Sequence, residues 1–180
     1  WGDPVLPGAP AFDPRNQSAA AQAQQFGYNN DFVGYFPMPG AADPAAHGLL
    51  VVNHEYTNEE LMFPGLGRQD GKAVDFQGMT RALVDIEMAA HGGSVLEIRR
   101  RDGRWTVVPD SKYARRITAT TPMALTGPAA GTDRVRTGAD PSGRSALGMI
   151  NNCAGGTTPW GTVLSGEENF DQYFVGTGSP

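Results

Sequence analysis

Ser94-Val95-Leu96-Glu97-Ile98-Arg99-Arg100-Arg101-Asp102-Gly103-Arg104-Trp105-Thr106-Val107-Val108 is the stretch that decides the fold class. Val95, Glu97 and Arg99 alternate against Ser94, Leu96 and Ile98, and alternation resumes at Trp105 to Val108, so two strands are expected. Asp102-Gly103 between them is a turn pair that tolerates positive φ, which predicts a tight β-hairpin. The arginines at 99, 100, 101 and 104 fall on both faces of such a hairpin, as a solvated edge that discourages sheet-to-sheet pairing. Hairpins separated by long loops suit a sandwich or a β-propeller, and no internal repeat is regular enough to choose between them.

Composition agrees with a loop-rich β protein. Among 180 residues there are 24 glycines and 14 prolines against 18% charged residues, which disfavours a helical bundle. A net charge of -5 leaves no basic footprint, so nucleic acid is not an expected partner. No run of apolar residues is long enough for a membrane span. The opening Trp1-Gly2-Asp3-Pro4 has neither a signal-peptide nor a start-methionine context and reads as the beginning of a trimmed or mature segment. A single cysteine allows no internal disulfide and leaves the redox compartment open.

Upstream of the hairpin, residues 82–88 fit helix and strand equally, and residues 58–77 read as a long Gly-rich loop. Gly48 to Val52 is a short, bounded apolar run and predicts a buried strand ending in Asn53-His54-Glu55-Tyr56-Thr57. Polar groups where a buried strand stops are well placed to face a shared cavity, so Glu55 and Asn53 are candidate site residues beside the plainer reading of a hydrogen-bonded turn. A short strand is expected over Phe32 to Phe36, preceded by Asn29-Asn30-Asp31, which reads as a capped turn. Residues 1–30 read as an entry segment whose helix starts at Asp13-Pro14, runs through Ser18 to Gln25 and stops at Gly27.

Downstream, residues 111–144 read as loop with one strand near Ile117. The chain then enters Asn151-Asn152-Cys153, a turn-forming run Gly155 to Pro159, a strand Trp160 to Ser165, and Glu167-Glu168-Asn169. A thiolate and carboxylates brought together by such a strand form a mixed sulfur and oxygen donor set, suited to a transition metal at the sulfur and harder cations at the carboxylates. The plain alternative is a small buried cysteine.

The runs WGDPVLPGAPAFDP, QFGYNNDFVGYFP, LLVVNHEYTNEE, EMAAHGGSVLEI and NNCAGGTTPWGTVLSGEENFDQYF, in this order from Trp1 to Phe174, closely resemble the PhoX-type alkaline phosphatases. The resemblance implies an all-β, β-propeller fold with a short N-terminal helix and long loops, export by the twin-arginine route to the periplasm or medium, and hydrolysis of phosphate monoesters at a cluster of Fe3+ and Ca2+. Cys153 is then implied as the thiolate ligand to iron, Glu168 as a carboxylate ligand and Glu55 as a ligand on the calcium side, with Glu167, Asn53 and Asp31 as further candidates. An oxide or hydroxide bridging the metals is the implied nucleophile, so no side chain of this chain need form a phosphoenzyme. Family members are longer, so residues 31–180 are expected to be the N-terminal part of a propeller. The remaining C-terminal part would be the partner that completes it and supplies further ligands. The other function class is a calcium-binding propeller acting as a binding module or on another ester, or an inactive fragment. Cys153 separates the two classes, since a calcium-only site has no use for a soft thiolate.

Overall fold

The computed structural model describes residues 1–69, 76 and 78–173. The fold is mostly β with a few short helices. At its centre β1 (Asn30–Pro37), β2 (His47–His54), β3 (Gly92–Arg101) and β4 (Arg104–Val107) form an antiparallel meander, and β5 (Arg115–Ile117) pairs with the start of β3 on the side where β4 pairs with its end. The β3–β4 hairpin closes at Arg101↔Arg104, with Asp102 at φ 51° and Gly103 at φ 74°, the two positive values that a two-residue primed turn demands. Two further hairpins stand as separate two-stranded sheets: β6 (Pro122–Ala124) with β7 (Ser145–Leu147), and β8 (Asn152–Thr157) with β9 (Val163–Glu167).

Several expectations change. Asp13 does not cap a helix; its carboxylate accepts the Arg15 amide at 2.9 Å in a local turn. Helix α1 is only Ala19–Gln22, capped by Ser18, whose Oγ accepts the Ala21 amide. It stops before Gly27 because the following backbone is used elsewhere. The Gln24 carbonyl accepts from Val5 at 3.0 Å, the Phe26 amide donates to the Asp3 carbonyl at 2.7 Å, and Pro4 bridges Gln25. Gly27 instead lies against the His54 ring, where a Cβ would collide. The loop expected from residue 58 holds α2 (Glu59–Met62), and the rest of it lies partly outside the described residues. The ambiguous segment is α3 (Arg81–Ala90), with the Thr80 hydroxyl accepting the Leu83 amide. The β6–β7 hairpin replaces part of the expected loop; the Asp140 carboxylate organises its connection by accepting the amides of Ser142, Arg144 and Ser145.

The core lies between the N-terminal segment, α2 and α3: Met62, Phe63, Ile86 and Ala90 pack with Trp1, Tyr28, Leu66 and Leu83. The buried guanidinium of Arg116 joins these layers. It donates to the carbonyls of Gln25 (2.7 Å), Ala89 (2.7 Å), His91 (2.9 Å), Gly93 (3.0 Å) and Ile117, so the entry segment, the end of α3 and the start of β3 share one donor group. Burial lowers its pKa to about 9, and it remains charged at neutral pH.

Candidate metal centre

Gly155, Gly156 and Thr157, expected as a turn, are strand residues of β8, and the expected strand at 160–165 is displaced to Val163–Glu167. The reversal falls at 158–162, where the Thr158 amide donates to the Thr162 carbonyl at 2.9 Å and Gly161 adopts φ 84°. Gly155 is small for another reason: a Cβ there would lie 2.5 Å from the Phe32 ring. β8 thereby packs across β1 and β2.

Both strands carry a bulge at this crossing. In β1 the register jumps from Asn30↔His54 to Val33↔Val52, so Asp31 and Phe32 together oppose Asn53. In β8 it jumps from Asn152↔Glu167 to Gly155↔Ser165, so Cys153 and Ala154 oppose Gly166. A bulge bends its strand and re-aims a side chain out of the ordinary alternation. The two bulges turn Asp31 and Cys153 toward each other, with Cys153 Sγ 3.2 Å from Asp31 Oδ2.

Glu55, just past β2, completes a group in which ligand atoms of Asp31, Glu55 and Cys153 lie within 4.8 Å of one another. Glu168, just past β9, is also a hydrogen-bond partner of the thiol, and its charge acts on Glu55. The thiol thus donates to Asp31 with two further carboxylates, Glu55 and Glu168, beside it. Its hydrogen bonds to Glu168 and Asp31 push the Cys153 pKa up to about 12. Burial first, and then the Asp31 charge, raise that of Glu55. The electrostatics of both groups are those of a site short of positive charge, and the mixed donors fit a cation with affinity for sulfur beside one that prefers oxygen.

Of the residues singled out from sequence, the structure brings Cys153, Glu55 and Asp31 together, with Glu168 beside the thiol. Asn53 adjoins them but is buried, and its Nδ2 donates to the Cys153 carbonyl at 2.8 Å and to Ser165 Oγ at 2.9 Å. Glu167 points its carboxylate away, accepting the Ile150 amide at 3.1 Å and lining an apolar cavity of about 650 Å³ with Val51, Val95, Met149 and Phe170.

Sequence reasoning missed the groups that fix the backbone of these residues. The Glu55 amide donates to the Asn29 carbonyl at 2.9 Å, and its carbonyl accepts from His91 Nδ1 at 2.7 Å. Burial lowers the His91 pKa to about 4, so the ring is neutral and its Nδ1–H faces that carbonyl. Asn151, at φ 52°, accepts the Glu168 amide on its carbonyl at 2.9 Å and donates from Nδ2 to the Glu168 carbonyl. Tyr173 donates its hydroxyl to Asn151 Oδ1 at 2.8 Å. The signal available was the run of amides at 151–152, whose side chains cap and tolerate positive φ.

No curated protein matches the chain. A solved structure described as Pseudomonas fluorescens PhoX in complex with vanadate, a transition state analogue, is 40% identical and superimposes with a TM-score of 0.86. The match covers 99% of this chain and 29% of that one. The family model for alkaline phosphatase PhoX matches residues 1–179. The chain therefore belongs to the PhoX alkaline phosphatase family.

Proposed function

We propose that this chain supplies one wall of the metal centre of a phosphate monoesterase, with Cys153, Glu168, Asp31 and Glu55 as its ligands. The convergence of the Cys153 thiol with the carboxylates of Asp31 and Glu55 within 4.8 Å, beside Glu168, carries this reading. The sulfur suits Fe3+ and the carboxylates suit both Fe3+ and Ca2+. Bound there, these cations would supply Lewis acidity and neutralise the charge of a phosphate monoester dianion.

The residues' own part is to hold and to exchange a proton. The bulges aim Asp31 and Cys153, while His91 and Asn151 fix the main chain of Glu55 and Glu168. Ligation by sulfur requires the thiolate, so a cation held there would take the place of the Sγ proton that Cys153 now donates to Asp31 Oδ2 at 3.2 Å. The vanadate complex of the 40% identical relative supports phosphoryl chemistry as the reaction class.

Because the match spans 29% of that relative's chain, the rest of the centre and of a propeller belongs to sequence beyond the matched segment. Export to the periplasm or medium follows from the same family reading. The test is Cys153→Ser in the full-length protein: iron content falls to background, and turnover of a chromogenic phosphate monoester drops by about 100-fold or more. Parental iron content and rate in that variant would refute the assignment.

A further inference from the structure

We propose that Asn53 is a positioning residue of this centre, which sets the aim of the Cys153 sulfur through the Cys153 carbonyl. This rests on the reading of Cys153 as a metal ligand.

A bulge leaves its extra residue outside the ladder. The bulge at Cys153 and Ala154, opposite Gly166, therefore places the Cys153 carbonyl where β9 offers no regular partner. Asn53 provides one from another sheet, donating Nδ2–H at 2.8 Å. Asn53 is itself the residue opposite the other bulge, at Asp31 and Phe32, so one amide touches the backbone of the thiol and stands across the ladder from the first carboxylate. Its second Nδ2 hydrogen goes to Ser165 Oγ at 2.9 Å, which commits that nitrogen fully.

The support behind it is stiff. Asn53 is 2% exposed and sits on β2, paired on both sides, where Asn53↔Gly93 continues an unbroken ladder with β3. A donor on a rigid central strand holds its acceptor more closely than one on a loop. Aspartate at this position would keep the shape while setting a carboxylate against the Cys153 carbonyl; serine would fall short of it.

The experiment uses the full-length protein as Asn53→Asp, Ser165→Ala and Cys153→Ser. It reads bound iron per chain by elemental analysis and the visible thiolate-to-iron charge-transfer absorption. Asn53→Asp is expected to retain iron roughly 10- to 100-fold more weakly and to shift that band, because outer-shell partners act at this scale. Ser165→Ala, which leaves the contact to Cys153 in place, should keep both readouts. A parental band and iron content in Asn53→Asp would overturn the proposal, and so would an equal shift in Ser165→Ala, which would mark a general packing effect. If Asn53→Asp is not recovered folded, Asn53→Ser removes the donor without adding charge and is judged on the same outcomes. Iron retained in Cys153→Ser would defeat the reading of the centre itself, whereas iron lost there and kept in Asn53→Asp defeats the positioning role alone.

Discussion

Glu87, on the inner face of α3, is 8% exposed, and its Oε1 has no hydrogen-bond partner. Burial outweighs the hydrogen bond from Thr57 and pushes its pKa up from 4.5 to about 7. Between those values the folded state holds a proton that the unfolded state has released. The contribution to stability is thus fully present below pH 4.5 and is lost as pH rises through 7. Glu87→Gln should raise stability at pH 8 by about 1–3 kcal/mol and leave it unchanged near pH 4, measured by urea denaturation at both. At this scale the proximity of Cys153, Glu55 and Glu168 was legible, because one is the sole thiol and the others follow predicted strands. The role of Asn53 was not, because an amide can ligate through oxygen or donate through nitrogen, and only the neighbour decides. Burial of Glu87 was hidden too, since its segment left helix and strand undecided.

Turn chemistry and alternation together made one element legible and misplaced another. The β3–β4 hairpin was read correctly because Asp102-Gly103 meets a demand for positive φ that few residue pairs satisfy. The Gly-rich run at 155–157 was misread because glycine has two uses: permitting unusual φ and making room. At Gly155 it makes room for Phe32, a neighbour 123 positions earlier that no local window contains. Bulges are equally silent, since one inserted residue alters pairing without altering composition. Gly155→Ala should force Phe32 out of its contact and lower stability by about 1–3 kcal/mol, as overpacking does, seen as a lower urea midpoint with an unchanged m-value.

At the largest scale, the predominance of strand was legible, while the division of the described residues into one five-stranded and two small sheets was not. That division depends on which hairpins find partners across long loops. Among the described residues the β8–β9 hairpin shares no ladder with the central sheet. Its attachments to β1 and β2 include the Asn53 amide, the Phe32 ring over Gly155 and the contact of Cys153 with Asp31. Cations held between Asp31, Glu55, Cys153 and Glu168 would therefore act as a clasp as well as a reagent. With a chelator present, like-signed side chains repel across that seam, and amide deuterium uptake should quicken at residues 30–33 and 152–168 while β2 and β3 stay protected. Uniform uptake on chelation would show the clasp idle. If it works, a depleted environment silences such a protein by letting a flap swing open long before the body melts.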